Sequence, residues 1–249
     1  MKVKVSIITP AYNSSKFIGE TIKSVINQSY SNWEMIIVDD CSNDDTYQIV
    51  NGYIQDDSRI KYFKNQKNIG VAATRNVALS HATGEYIAFL DSDDLWKPEK
   101  LTAQLKFMEE NHYAITYTNY QMFDSITGKL GKVIFAPKFM RHNDIYKNTS
   151  IGCLTVMVNR DMVGYFEMPL LSHAEDQCTW QEIINRGFIA YGLNENLSLY
   201  RTSADSMTAN KFNAAKKQWH MYRAHCKFSI FKSTFYLSCY ALNALIKRI

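Results

Sequence analysis

The sequence predicts an α/β fold built on a mostly parallel central sheet. Short apolar segments rich in β-branched residues alternate with segments in which apolar residues recur every three or four positions, a pattern typical of consecutive βαβ units. Residues 33–38 are almost continuously apolar, and both they and residues 85–90 are followed abruptly by aspartates. Because strands of a parallel sheet are buried on both faces, we expect these two segments in its interior.

The first 110 residues show the alternation most clearly. Residues 3–9 predict a strand that enters a loop at Pro10, and a helix follows with Ser14 and Ser15 as cap candidates. The next expected elements are a strand at 33–38, a helix at 46–54, a strand at 60–63, a helix at 71–81, a strand at 85–90 and a helix after Pro98. Ligands of such sheets bind beyond the carboxyl ends of the strands, so the aspartates are expected at one rim.

The pattern is weaker in the remainder of the chain. The expected elements are strands within 113–135 around the Thr127-Gly128 turn, a strand at 153–158 and a helix at 174–186. No composition shift marks a domain boundary before about residue 205. We therefore expect one domain over residues 1–205 and a separate tail over residues 206–249.

Charge is distributed unevenly between these two parts. The 249 residues carry a formal net charge of +4, and 46% of them are hydrophobic, which excludes a disordered chain. Residues 206–249 contain eight basic residues and no acidic one, so they carry +8 while residues 1–205 carry −4. An acidic domain is thus joined to a basic tail.

The five cysteines disfavour a disulfide framework and a zinc site, because their number is odd and none forms a C-x-x-C pair. The N-terminal apolar stretch is too short for a signal peptide. Together these features predict a cytoplasmic location.

The acidic cluster Asp91-Ser92-Asp93-Asp94 directly follows a predicted strand. Three carboxylates so close together repel one another unless a cation offsets their charge. Oxygen ligands without a neighbouring His or Cys favour Mg²⁺ or Mn²⁺, which also bind diphosphates. The alternative is a solvated turn in which Asp94 caps the next helix.

A second pair, Asp39-Asp40, ends the strand at 33–38. A carboxylate there can accept hydrogen bonds from a base or a ribose, although a loop that caps a helix is the alternative. No G-x-G occurs in the chain. This absence excludes both the dinucleotide fingerprint of dehydrogenases and the phosphate loop of P-loop enzymes.

Four segments, taken together, resemble glycosyltransferase family 2. They are Val5-Ser6-Ile7-Ile8-Thr9-Pro10-Ala11-Tyr12-Asn13, Ile36-Ile37-Val38-Asp39-Asp40-Cys41-Ser42-Asn43-Asp44, Asn68-Ile69-Gly70 with Arg75-Asn76, and residues 84–94. Their order and spacing match over about residues 3–110. The resemblance continues more loosely through Glu175-Asp176 and Tyr200-Arg201.

The resemblance implies a GT-A fold, a Rossmann-like mostly parallel sheet flanked by helices, here with a C-terminal helical extension. It also implies an inverting transfer from a nucleotide sugar, usually a UDP-sugar, with Mn²⁺ or Mg²⁺. Residues 1–110 would bind the nucleotide sugar and residues 111–205 the acceptor. By this resemblance, the nucleoside pocket would be lined by Thr9, Ala11, Tyr12 and Asp40, with Asp40 facing uracil. Arg75 would lie near the nucleotide, and Asp91 and Ser92 near the ribose or sugar. Asp93 would bind the metal, and Asp176 would be the catalytic base.

Two features qualify these roles. Acidic residues at a helix start also complement the helix dipole, so Glu175-Asp176 has a purely structural alternative. Many family members carry a His two residues after the Arg of the Tyr-Arg segment, whereas this chain has Ser203. A second metal ligand from the protein is therefore left open. Of the six histidines, His173 is the candidate for acceptor contact because it precedes Glu175 by two residues.

The tail predicts an amphipathic cationic helix. Its apolar residues recur at mostly three- and four-residue steps: Phe228, Phe231, Phe235, Leu242, Leu245 and Ile249. Polar interruptions make a transmembrane helix a poor fit. We favour binding of residues 226–249 to an anionic membrane surface, with a helix packed on the domain as the alternative. No motif supports nucleic-acid binding.

The sequence thus predicts a metal-dependent inverting glycosyltransferase, peripheral on the inner face of the cell membrane. It would move a hexose or N-acetylhexosamine from a UDP-sugar to a glycan or lipid-linked oligosaccharide during synthesis of a surface polysaccharide. The alternative is a catalytically silent nucleotide-sugar-binding protein. A sugar-1-phosphate nucleotidyltransferase is excluded because Pro10-Ala11-Tyr12-Asn13 stands where a glycine-rich loop is needed.

Overall fold

The computed structural model describes residues 5–147, 151–171, 173–202 and 211–246. The strands are β1 (Val5–Ala11), β2 (Trp33–Asp39), β3 (Ile60–Lys64), β4 (Tyr86–Phe89), β5 (Leu95–Trp96), β6 (Ile115–Asp124), β7 (Leu130–Ile134), β8 (Phe139–Met140), β9 (Met157–Asn159) and β10 (Ala190–Thr202). The helices are α1 (Ile18–Ile26), α2 (Thr46–Asp56), α3 (Val71–His81), α4 (Lys100–Asn111), α5 (Asp144–Lys147), α6 (Arg160–Val163), α7 (Glu175–Asn185), α8 (Lys211–His220) and α9 (Ile230–Ile246).

All ten of these strands belong to one sheet with the order β3-β2-β1-β4-β9-β6-β10-β5, in which β7 also pairs with β6 and β8 with β10. The neighbours β3, β2, β1 and β4 are parallel, as are β6 and β10. Strand β9 lies antiparallel between β4 and β6. The sheet is therefore mostly parallel, as predicted, and the carboxyl ends of β1, β2 and β4 meet at one rim.

Apolar layers cover both faces of the sheet. Every residue of β1 and β2 is buried, which agrees with their nearly continuous apolar sequences. Because successive side chains of a strand point to opposite faces, Ile8 packs in one layer with Phe89 and Trp180, and Ile7 packs in the other with Ile22. Helix α7 thus covers one face through Trp180, and α1 covers the other.

In the second half of the chain, where the sequence pattern is weaker, some predicted elements are confirmed and one is wrong. Helix α7 and the hairpin of β6 and β7 lie where the sequence predicts them. The strand predicted at 153–158 is wrong in its first half, because Cys153–Thr155 form a 3₁₀ helix and β9 begins at Met157. That turn is held by local hydrogen bonds from the Thr155 amide and hydroxyl to the Gly152 carbonyl.

The predicted cap of α1 is also wrong. The helix begins at Ile18 after Phe17, and neither Ser14 nor Ser15 caps it with a side chain. The Ser14 carbonyl instead accepts hydrogen bonds from the amides of Phe17 and Ile18, while its hydroxyl lies 2.7 Å from that of Ser92. The Ser14 side chain therefore joins the first loop to the acidic cluster.

The C-terminal segment packs on the sheet domain. Tyr222, in a π-helical turn between α8 and α9, and Tyr236 of α9 form an apolar cluster with Tyr146, Ala174 and Cys178. Phe228, the first residue of the predicted stripe, packs against this cluster, whereas Phe231 is 88% exposed and Phe235 is 57% exposed on another side of α9. Ile249 and the side chain of Leu245 lie outside the described residues. Within the described ranges, no helix is long and apolar enough to cross a membrane.

Candidate functional site

The acidic turn after β4 is held in place by hydrogen bonds from α1 and from β10. The Thr21 hydroxyl of α1 lies 3.0 Å from the Ser92 carbonyl oxygen and 2.9 Å from that of Asp94. The Asp94 side chain is buried and accepts a hydrogen bond of 2.8 Å from the Arg201 amide. Asp94 therefore anchors the turn to β10 and does not cap the next helix, because its carboxylate points into the protein.

Arg201 supports the same turn from β10. Its Nε donates to the Asp93 carbonyl oxygen at 2.5 Å, and its Nη2 donates to Oε2 of Glu20 at 2.7 Å. The guanidinium also lies over the ring of Phe17, 4.4 Å from its centroid. Arg201 thus ties the loop after β1, the acidic turn and the end of β10 together. The sequence pointed to Arg201 only through a loose resemblance, since its partners lie far away along the chain.

The carboxylates of this turn differ in their environments. Asp93 is exposed, and desolvation by the site together with the charge of Asp91 raises its pKa to about 6. Burial also raises the pKa of Asp94 well above its usual value, with smaller contributions from Asp93 and Asp91. Asp91 accepts a hydrogen bond of 2.6 Å from Nη2 of Arg75. Asp93, the most exposed carboxylate of the turn, is therefore the one best placed to reach a bound cation.

The donor chemistry of the turn suits a hard cation, since Asp91 and Asp93 offer only oxygen. Among the described residues, no group of three or more His, Cys, Asp or Glu side chains is arranged to hold a metal. A cation on Asp93 would therefore need most of its ligands from phosphate oxygens and water. This is how Mg²⁺ usually binds next to a phosphorylated substrate.

The residues expected around the nucleoside lie together at the ends of β1 and β2. Ala11 pairs with Asp39 across the two strands, and the Asp40 amide donates to the Ala11 carbonyl at 2.8 Å. Thr9 is fully buried, and its hydroxyl has no hydrogen-bond partner among the residues that the structure describes. Tyr12 is 49% exposed, so its ring borders an open space.

Asp40 also organises the loop that leads into α3. Its Oδ1 accepts hydrogen bonds from the Asn65 side chain and the Ile69 amide, and its Oδ2 accepts one from the Gly70 amide. Gly70 has a φ of +88°, a conformation that side chains disfavour. Asp40 therefore positions the start of α3, the helix that carries Arg75.

Asp176 lies in the first turn of α7, on the other side of Arg75. Burial and the adjacent Glu175 raise its pKa to about 6. Nη1 of Arg75 donates to Oε1 of Glu175 at 2.7 Å, so Arg75 connects the turn after β4 to the start of α7. The structure thus brings Asp91, Arg75 and the Glu175-Asp176 pair into one site.

His173 and Ser203, the two further residues that the sequence singled out, differ in what the structure shows of them. His173 is partly buried, and its pKa is lowered by burial and by Lys217. Ser203 lies outside the described residues. Cys153, which the sequence did not indicate, is buried beside this cluster, and its pKa is raised by burial.

Sequence comparisons identify relatives along the whole chain. The profile of the family described as Glycosyl transferase family 2 matches residues 6–165. The chain is 45% identical over 248 residues to the putative teichuronic acid biosynthesis glycosyltransferase TuaG of Bacillus subtilis, covering 100% of this chain and 98% of that protein. It is 41% identical over 225 residues to the UDP-Glc:alpha-D-GlcNAc-diphosphoundecaprenol beta-1,3-glucosyltransferase WfgD of Escherichia coli, covering 86% and 83%.

Solved structures share the fold. TarS of S. aureus in complex with UDP-GlcNAc superimposes with a TM-score of 0.69 at 23% identity, covering 96% of this chain and 71% of that chain. Against a longer TarS structure, this chain spans 43% of that chain. The mannosyltransferase PcManGT from Pyrobaculum calidifontis, in complex with GDP-Man and Mn²⁺, has a TM-score of 0.71 at 18% identity, covering 98% and 74%.

Proposed function

The chain belongs to glycosyltransferase family 2 and has the predicted GT-A fold, and from this we propose an inverting transfer of a hexose or N-acetylhexosamine from a UDP-sugar. The acceptor is a hydroxyl of a glycan or lipid-linked oligosaccharide in surface polysaccharide synthesis. Residues 1–110 bind the donor, and residues 111–205 bind the acceptor. The observation that carries the proposal is the exposed Asp93 on a turn held by hydrogen bonds, with Arg75 linking that turn to the helix of Asp176.

The two carboxylates have separate tasks in this proposal. Asp93 would hold a divalent cation, and that cation would offset the negative charge that develops on the departing diphosphate. Asp176 accepts the proton of the acceptor hydroxyl as that oxygen attacks the anomeric carbon. A single displacement inverts the configuration of that carbon. Tyr12 forms the exposed part of the wall on which the nucleoside lies, and the buried Thr9, Ala11 and Asp40 support it from behind. Asp91 and Ser92 lie near the ribose or sugar.

Donor and acceptor class are supported by relatives. WfgD is named for transfer from UDP-Glc to a diphosphoundecaprenol-linked sugar, and TuaG for teichuronic acid biosynthesis. TarS was crystallised with UDP-GlcNAc, and PcManGT with GDP-Man and Mn²⁺. These names favour a UDP-sugar donor, a lipid-linked acceptor and a divalent cation for this chain as well.

The test is transfer from a panel of UDP-sugars to lipid-linked oligosaccharides, with and without Mn²⁺ or Mg²⁺. We expect UDP release that depends on the metal and falls at least about 100-fold in Asp93→Ala and in Asp176→Asn. Asp56→Asn, at an exposed position of α2, is the matched control and keeps full activity. NMR of the product gives its anomeric configuration.

Three outcomes would contradict the proposal. Full transfer activity of Asp93→Ala would show that Asp93 does not hold a required cation. Full transfer activity of Asp176→Asn would show that Asp176 is not the general base. Metal-dependent UDP binding without transfer to any acceptor would favour the silent nucleotide-sugar-binding protein.

We also propose that the protein works at the inner membrane surface, with α9 as its contact. Phe231 and Phe235 point away from the protein, and Leu242 is 60% exposed on the same helix. No acidic residue follows Asp205, so this apolar face has only basic charges nearby in the sequence. An exposed apolar face with flanking cations is suited to the interface of an anionic bilayer.

A further inference from the structure

Arg75 lies between carboxylates from the two halves of the site. Its Nη2 is 2.6 Å from Oδ1 of Asp91, and its Nη1 is 2.7 Å from Oε1 of Glu175. The Arg75 side chain is 5% exposed, so solvent screens these pairs weakly. Two carboxylates already offset its single positive charge. The positive charge of Arg75 therefore stabilises these two carboxylates of the protein more than it would stabilise a bound diphosphate.

The segment before α7 is tied to the same helix as Arg75. The Asn76 side chain of α3 donates to the Met168 carbonyl at 2.8 Å and accepts from the Met168 amide at 2.8 Å. Ala174, directly before α7, has a φ of +61°, which is uncommon for a residue with a Cβ. Such a conformation persists only where its surroundings impose it. The Arg75–Glu175 pair lies directly next to this strained residue and contributes to imposing it, together with the packing of Ala174 in the cluster around Tyr222.

We propose that Glu175 is a positioning residue, whose ion pair with Arg75 fixes the start of α7 and thereby the place of the Asp176 carboxylate relative to Asp91. The inference rests on the proposed function, since Asp176 is there the general base. It assigns Glu175 no contact with substrate. Arg75 and Glu175 act as one unit that sets the separation between the donor side and the acceptor side.

This arrangement predicts which kinetic constant changes. The nucleoside wall at Tyr12 and Asp40 is built on β1 and β2 and does not involve α7. Loss of Glu175 should therefore leave donor binding intact and misplace the base. Displacement of a reacting group by about 1 Å can cost about 100-fold in rate.

The experiment compares full-length variants in the transfer assay. Glu175→Ala is expected to lower kcat about 100-fold with the donor KM within about twofold of the wild type. Glu175→Gln keeps the oxygen that accepts from Arg75 and restores kcat to within about tenfold of the wild type. The double variant Arg75→Ala with Glu175→Ala is expected to be no slower than Arg75→Ala alone, because residues that act as a unit are not additive.

The matched control is Glu182→Ala. Glu182 lies on the same helix and pairs with Arg186 at 3.0 Å, but on an exposed surface. It is expected to leave both kinetic constants unchanged. The inference is overturned if Glu175→Ala retains the wild-type kcat, if its loss lies in the donor KM, or if the two alanine substitutions are additive.

A second measurement separates this inference from the proposed function. If the wild type transfers no sugar, the proposed function fails, and the same variants are compared by hydrogen exchange. The Cys178 amide donates to the Ala174 carbonyl in the first turn of α7. Its exchange is expected to be at least about tenfold faster in Glu175→Ala than in Glu182→Ala. Equal exchange in the two variants would overturn the inference.

Discussion

At the residue scale, the proposed role of Asp176 as general base predicts that its ionisation determines the pH dependence of transfer. Burial and Glu175 raise its pKa to about 6, and a general base works only when ionised. We therefore expect kcat to fall about tenfold per pH unit below that pKa and to stay level above it, up to pH 8. The measurement is initial transfer rate from pH 4.5 to 8 at saturating donor and acceptor.

Asp93 has a raised pKa as well, so the assignment needs a control. A bound cation favours the ionised form of Asp93 and lowers its pKa, whereas Asp176 lies on the other side of Arg75. At saturating Mn²⁺ the fall of kcat at low pH should therefore remain. Its disappearance at high Mn²⁺ would assign this fall to Asp93 instead.

Individual site residues differed in how far the sequence predicted them. Asp91, Asp93 and Asp40 belong to compact motifs after apolar strands, and the structure places them at the rim where parallel strands end. Arg201 and Glu20 form an ion pair across 181 positions of the chain. A local sequence pattern cannot predict such a pair, because the two residues become neighbours only through the topology of the sheet.

At the scale of the element, α9 has two different faces. Ser233 and Tyr236 are buried against the domain, whereas Phe231 and Phe235 are exposed. The sequence predicted the stripe that contains both phenylalanines and favoured its binding to lipid, with packing on the domain as the alternative. The structure shows that another face packs, since the aromatic residues Tyr146 and Tyr222 supply the partner surface. Of the predicted stripe, Phe228 packs against the domain, whereas Phe231 and Phe235 stay exposed.

We predict that Phe231→Ser combined with Phe235→Ser weakens binding to vesicles that contain anionic lipid by about 100-fold. Each phenylalanine that inserts into the interface contributes about 1.5 kcal/mol, or about tenfold in affinity. The measurement is flotation with vesicles of increasing anionic lipid content. Both side chains are exposed, so folding should not change.

The control for this experiment is Ile126→Ser. Ile126 is also an exposed apolar residue, in the turn between β6 and β7. It should leave flotation unchanged if binding is confined to α9. Wild-type flotation by the double phenylalanine variant would exclude α9 as the membrane contact.

At the scale of the whole molecule, the alternation of apolar segments was sufficient to predict a parallel α/β sheet. It was not sufficient to place β9 between β4 and β6, because this strand has three residues and owes its position to its two neighbours. The sequence predicts a tail that is separate from about residue 206, and this stays a prediction. Its contacts with α5 and α7 depend on tyrosines that carry no periodic signal for tertiary packing.

These contacts predict that the tail and the sheet domain unfold together. Tyr222 is fully buried, and its hydroxyl donates to the Tyr146 carbonyl oxygen at 2.6 Å. Tyr222→Ala leaves a cavity that costs about 3–5 kcal/mol in the free energy of unfolding. For a chain of this length, that corresponds to a fall in Tm of about 10 °C. Calorimetry should show one transition that moves as a whole.

Phe231→Ala is the control for this last prediction, because it removes an aromatic ring of the same segment that is 88% exposed. It should change the free energy of unfolding by no more than about 0.5 kcal/mol. If Tyr222→Ala instead splits the transition and leaves the main Tm unchanged, the tail is an independent unit that starts near residue 206. A single shifted transition means that α8 and α9 complete the support of α7, the helix whose first turn carries Asp176.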